Sequence, residues 1–238
     1  VDGEKMSKSR GNVIDPNKLV DEFGADAFRY FLLREVPFGQ DGDFSKNNMI
    51  ARINSELADG LGNLLSRSLT MIERYAGGKV PAHLSSVDGE LETQLVQKTG
   101  ELEADADDHV EHFRFSRALE SIAEVVQACD QYIDKTAPWT LAKKPENRLQ
   151  LENALYHIAH TLGTLVQFLY PFIPETAFKI AQQLGLDPHE DGQLLKWSDP
   201  AMIEGTSIAK RHSLFPRIDK AKLQGANTVV EARWDDTG

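Results

Sequence analysis

The string Lys5-Met6-Ser7-Lys8-Ser9 places two ammonium groups and two hydroxyls within five consecutive residues, between Gly3 and Gly11. Two lysines three apart on a pliable loop can converge on a polyphosphate, and the hydroxyls can add hydrogen bonds to it. The flanking glycines let the backbone come close. Cations held this way stabilise the charge that develops when a phosphoryl or adenylyl group is transferred. On spacing alone, a solvated loop is the commoner meaning of so short a stretch. Asn63 and Arg67 are a second candidate pair, four residues apart on a helical pattern. Asn offers a donor and an acceptor to a base edge, and Arg offers a flat fork to a base or a phosphate. Trp139 follows Pro138 where a helix ends, so its ring is free to stack on an unstacked base. Without further context the commoner meaning of these three residues is an ordinary solvated pair and a core-capping indole.

His109 and His112 are three apart, as are His157 and His160. Neither pair forms His-Glu-x-x-His or has a cysteine nearby, so no metal site is expected. Cys129, the single cysteine, excludes an internal disulfide and fits a reducing compartment. It falls in register with the apolar face of its helix, which predicts a buried, inert thiol.

The elements that must position these residues are helical. Asp15-Pro16 reads as N-cap and first helical residue, with Leu19, Val20 and Phe23 as the apolar side and Gly24 as a break. A second run extends from Ala25 to about Glu35, and Pro37 to Gly42 is a turn. Ser45 opens the clearest helix, whose stripe is Ile53, Leu57, Leu61, Leu64, Leu65, Leu69 and Ile72, ending at Gly77-Gly78. Asn63 and Arg67 lie roughly 120–140° from the centre of that stripe, facing solvent or a partner. Residues 81–89 read as a linker, and 90–111 as an acidic helix with a solvated face. Phe115 to Ile133 and Leu149 to Tyr170 are two further amphipathic helices, and Glu175 to Leu184 is a shorter one. From Leu186 the chain turns irregular. The fold class is therefore mainly α, an antiparallel helical bundle with a small loop-helix N-terminal piece. The expected division is 1–44, 45–224 for the helical domain, and a disordered tail over 225–238.

Composition bounds the partners. A chain of 238 residues with 41% hydrophobic side chains can build a real core, and its net charge of -11 excludes nucleic-acid binding by bulk charge. Any such contact must be local. No apolar run approaches a membrane span, and Val1-Asp2-Gly3-Glu4-Lys5 has none of the apolar run of a signal peptide, so a cytoplasmic location is expected. Starting at Val1, the chain looks like part of something longer. Residues 1–44 are expected to be less protected from hydrogen exchange than 50–170, with apolar surface exposed on the first two helices.

Lys-Met-Ser-Lys-Ser continues as Arg10-Gly11-Asn12-Val13-Ile14-Asp15-Pro16, and the whole resembles the second signature of class I aminoacyl-tRNA synthetases. Asn63-Leu64-Leu65-Ser66-Arg67 and Ala137-Pro138-Trp139 resemble the anticodon-recognition positions of methionyl-tRNA synthetases. So do the stretch from Arg29 to Ser45 and Phe215-Pro216-Arg217-Ile218-Asp219. The resemblance implies a methionine-tRNA ligase using ATP with Mg2+, in which Lys5 and Lys8 serve ATP during activation within a Lys5, Met6, Ser7, Lys8, Ser9 loop. It implies that 1–44 closes a catalytic domain and that Asn63, Arg67 and Trp139 read the CAU anticodon of tRNA(Met). The family's His-Ile-Gly-His signature, its Rossmann-type half and the methionine pocket have no counterpart here. This chain alone is thus expected to be inactive, monomeric and without bound cofactor. Two alternatives remain at this point: a leucine, isoleucine or valine enzyme of the same class, and a stand-alone tRNA-binding helical module.

Overall fold

The computed structural model describes residues 6–7, 13–186 and 203–219. Lys5, Lys8 and Ser9, and the tail expected over 225–238, lie outside the described residues. Helices dominate, and among the described residues the only β-type pairing is a single antiparallel bridge between Lys79 and Ser207.

The chain begins with α1 (Pro16–Phe23), where the Asp15 side chain accepts a hydrogen bond from Asn17 N at 2.9 Å. Gly24 turns the chain at φ 86° into α2 (Ala25–Glu35). The long helix expected from Ser45 is present but composite: α3 (Lys46–Arg52), a π-helical segment (Ile53–Gly62), then α4 (Asn63–Ala76). Ile53, Leu57 and Leu61 recur in steps of four, which the wider π turn tolerates, so the stripe stays buried throughout. Gly77 closes the helix in the left-handed conformation at φ 62°, where a side chain would be strained.

Next come α5 (Glu90–Glu111), α6 (Phe115–Thr136), the one-turn α7 (Pro138–Leu141), α8 (Arg148–Leu169) and α9 (Pro174–Gln183). On α5, Glu101, Glu103, Asp105, Asp107 and Asp108 are all exposed, the solvated face that the sequence implies. α8 is the central element, packing against α4, α5, α6 and α9. It buries Leu151, Leu155, Ile158, Leu162 and Leu165, and with them Asn153, His157 and Thr161. A helix buried on most sides must satisfy its polar groups internally.

The first two helices compare differently with the sequence reading. α1 buries only Leu19. α2, however, belongs largely to the core: Ala27, Tyr30 and Phe31 are buried and Phe28 packs against them, while Leu32 alone of its large apolar residues stays exposed, at 41%. Asp26 accepts hydrogen bonds from Thr176 N at 2.7 Å and Thr176 Oγ1 at 2.8 Å, docking α2 onto the first turn of α9. Arg34 reaches Glu56 and Glu120 on two other elements.

Residues 203–219 form an irregular strap running back along the α3–α4 helix. Val80 N donates to Thr206 O and Ile208 N to Gly78 O at one end. At the other, Asn54 exchanges two bonds with Ile218, at 2.8 and 2.9 Å.

Candidate functional site

Asn63 is the first residue of α4 and is exposed, with Arg67 one turn further on. The outward face of α4 lies in a valley between α6 and the strap. On the strap side a groove of about 1150 Å³ is lined by Asn63, Ser66, Gln183, Lys210, Arg211 and His212, among others. On the other side, Arg67 Nη1 donates to Asp130 at 3.1 Å and Nη2 to Asp134 at 2.7 Å, both on α6. The partner that Arg67 faces is therefore within this chain. Burial pushes the Asp130 carboxyl up, the Arg67 charge opposes that, and the neighbouring Asp134 adds to the rise.

α6 leads directly to the third residue. Its last amide bond runs from Ala137 N to Ile133 O at 2.9 Å, and Ala137 then adopts the left-handed conformation at φ 45°. Pro138 opens α7 and is buried, and Trp139 is left 41% exposed. A proline at the first helical position fixes the backbone there without losing a needed donor. Asp134, which holds Arg67, stands five residues before Trp139. Arg67 and Trp139 are thus tied to the same end of α6, with Asn63 one α4 turn away. Among the described residues, the Asn63 and Trp139 side chains make no hydrogen bond, and no polar or ring contact joins any two of the three. Lys135, Lys143 and Lys144 surround the tryptophan in sequence, are exposed, and have no carboxylate partner among the described residues. This end can present a π face, an amide and several cations on an otherwise acidic protein.

Of the five-residue N-terminal loop, Met6 is exposed and Ser7 is partly buried. Sequence reasoning missed Asp130 and Asp134 as the groups that orient Arg67. Their i, i+4 spacing on an α6 face was the available signal, but nothing local says which helix they oppose. It also missed the strap residues facing Asn63, which no periodicity marks.

The histidines lie elsewhere. His112 Nδ1 approaches Asp108 O at 2.8 Å, and His109 meets Arg114, so that pair serves the α5–α6 turn. His157 does not pair with His160 but with Asp88, at the end of the linker before α5, where His83 also arrives. Partial burial alone would raise the Asp88 carboxyl, but hydrogen bonds from Asn153, His157 and His83 bring it down to about 2. His160 is held below the ordinary imidazole value by burial first, then by His157 and His83. Cys129 is fully buried and its thiol is pushed up by that burial, in keeping with an inert role.

A family model described as "tRNA synthetases class I (M)" matches residues 1–69, and one described as "Anticodon-binding domain of tRNA ligase" matches residues 92–236. The methionine–tRNA ligase of Caldanaerobacter subterraneus subsp. tengcongensis is 44% identical over 100% of this chain and 37% of its own length. That of Clostridium tetani is 39% identical over 97% of this chain and 36% of its own length. The chain thus spans about a third of the length of the curated relatives it matches. The Mycobacterium tuberculosis methionyl-tRNA synthetase in complex with methionyl-adenylate superposes with a TM-score of 0.83 at 34% identity, covering 90% of this chain and 42% of that one.

Proposed function

Because the chain belongs to the methionyl-tRNA synthetase family of class I tRNA ligases, we propose that it is the tRNA-reading part of a methionine-tRNA ligase. The observation that carries this reading is the end of α6, where Asp134 and exposed Trp139, both within the stretch matched to anticodon binding, meet Arg67 from the stretch matched to class I synthetases.

Asn63 and Arg67 would hydrogen-bond base edges of the CAU anticodon of tRNA(Met), and Trp139 would stack on one of its splayed bases. Asp130 and Asp134 hold the Arg67 guanidinium against α6, which fixes its plane before RNA arrives and reduces the ordering cost of binding. Lys135, Lys143 and Lys144 supply the local positive charge that an acidic chain otherwise lacks. With a net charge of -11, the rest of the surface disfavours phosphate, so contact concentrates at this end.

In the whole ligase, methionine and ATP, with the Mg2+ that accompanies it, would react in a Rossmann-type half to give methionyl-adenylate. Lys5 and Lys8 would balance the charge on the pyrophosphate as it leaves in that step, from the Lys5–Ser9 loop, with Met6, Ser7 and Ser9 shaping it. No described residue of this chain is assigned to the ion. We place the end of the catalytic domain at 1–44 and the reading domain at 45–224, working as a cytoplasmic monomer. No helix among the described residues is long and apolar enough to cross a membrane. The methionine class of the matched model and relatives favours this reading over a leucine, isoleucine or valine enzyme, and full ligases as relatives favour it over a stand-alone module.

The test is binding of this chain to an RNA hairpin with a CAU loop against one with a single changed anticodon base, at equal salt. Preference for CAU is the expected result. Equal affinity for both hairpins would remove anticodon reading from this domain.

A further inference from the structure

We propose that His83, Asp88 and His157 form a binding site for one Zn2+-like divalent transition-metal ion, independent of the RNA-reading end. Asp88 Oδ1 lies 2.9 Å from His157 Nε2, and Asp88 Oδ2 lies 2.9 Å from His83 Nε2. One donor atom from each residue falls within 4.8 Å of both others. The donors come from three places, the linker (His83), its end before α5 (Asp88) and the middle of α8 (His157), so a shared ion would bind them as a unit.

The surroundings hold the donors in position. His157 is 3% exposed, with its ring fixed edge-on to Tyr132 and Tyr156. His83 stacks on Tyr156 at 4.8 Å between centroids and meets the His157 ring edge-on at 5.1 Å. Asn153, one α8 turn before His157, donates from Nδ2 to Asp88 Oδ1 at 2.8 Å while its Oδ1 accepts from Leu84 N at 3.0 Å. That amide orients the carboxylate and fixes the linker backbone beside it, the outer support that metal ligands ordinarily have. His83 and Asp88 remain partly open, leaving a side from which water can complete the coordination.

Two imidazoles and one carboxylate suit Zn2+, Co2+ or Ni2+ better than Mg2+ or Ca2+, which prefer oxygen alone. Bonds of about 2.0–2.2 Å in a tetrahedron put ligand atoms roughly 3.3–3.6 Å apart. The observed hydrogen-bonded separations are slightly shorter than this, so a small spreading on the linker side, with each Nε2–H given up, converts the network into a coordination shell. The bound ion would clamp the 79–89 linker onto α8.

The experiment is calorimetric titration of chelator-treated chain with Zn2+, alongside His83→Ala, Asp88→Asn and a His109→Ala/His112→Ala double variant. Circular dichroism confirms that each is folded. His83 is on the partly open side, so its removal spares the core. One saturable equivalent is expected in the parent, accompanied by a higher melting temperature. Binding should weaken by at least about tenfold in His83→Ala and Asp88→Asn and stay unchanged in the double variant. Co2+ should show the intense visible absorption of a four-coordinate site only where His83 and Asp88 are intact. Absence of saturable binding would overturn the proposal. So would equal affinity in His83→Ala, or loss of binding in the His109/His112 double variant.

Discussion

Asp26 and Asp134 each hold a neighbouring element by its donors, but in different surroundings. The Asp26 side chain is 8% exposed and caps the third residue of α9 across the bundle, through Thr176 N and Oγ1, with Arg29 beside it at 3.0 Å. The Asp134 side chain is 65% exposed and holds only the Arg67 guanidinium. Buried and multiply bonded, Asp26 contributes to stability, because its loss strands a helix-terminal N–H away from water. Exposed and screened, Asp134 contributes little to stability but sets where a cation points. The same side chain thus serves the scaffold in one place and, under the proposed function, recognition in the other.

The largest expected effect lies on the scaffold side. Asp26→Ala should cost about 2–4 kcal/mol and lower the melting temperature by about 5–15 °C. It should leave the preference for CAU over a changed anticodon intact in the folded fraction. Thermal melts and hairpin binding on the same preparation check this, and an altered preference would couple the two regions. Amide exchange sharpens the point: α2 should be protected to the same degree as α8, with α1 exchanging sooner.

At the other end, Trp139→Ala should cost about 1–3 kcal/mol in binding to the CAU hairpin, the worth of one stacked base. Its melting temperature should remain close to the parent's, since the ring is already largely outside the core. Smaller again, Lys143→Gln with Lys144→Gln should weaken all hairpins alike. It should also flatten the dependence of log affinity on log salt, by about 0.7 for each phosphate no longer neutralised.

The smallest effect concerns Asp130. Its folded-state carboxyl is raised by burial, so its charged form is disfavoured in the folded state relative to the unfolded one. The stability linked to its protonation is present below the unfolded value and lost as pH rises through the folded one. Asp130→Asn should therefore be within about 0.5 kcal/mol of the parent at pH 7. Urea melts should show the variant gaining relative to the parent as pH rises from about 3 to 6. A large loss at neutral pH would mean that the Arg67 pair is structural.

Much of this fold was legible in the sequence because helix punctuation is local. Asp15-Pro16, Gly24, Gly77 and Pro138 each act on the backbone within a turn, and the structure places element ends at all of them. The stripe from Ile53 to Ile72 could be read for the same reason, although its π-helical middle could not, since steps of four suit both ladders. The placement of α2 was not legible: its buried Ala27, Tyr30 and Phe31 resemble any amphipathic helix, and their cover comes from elements far along the chain. The candidate site divides the same way. Asn63, Arg67 and Trp139 could be named from motif and spacing, whereas Asp134, the strap beside Asn63 and the meeting of Asp88 with His157 depend on tertiary contacts across long separations.

The most direct measurement is the affinity ratio between a CAU hairpin and one with a single changed anticodon base, determined for the parent chain, Trp139→Ala and Asp26→Ala. The account predicts that the ratio collapses toward one in Trp139→Ala with its melting temperature nearly unchanged. In Asp26→Ala the ratio should persist while the melting temperature falls. A ratio that survives the loss of Trp139 would contradict the assignment of recognition to the end of α6.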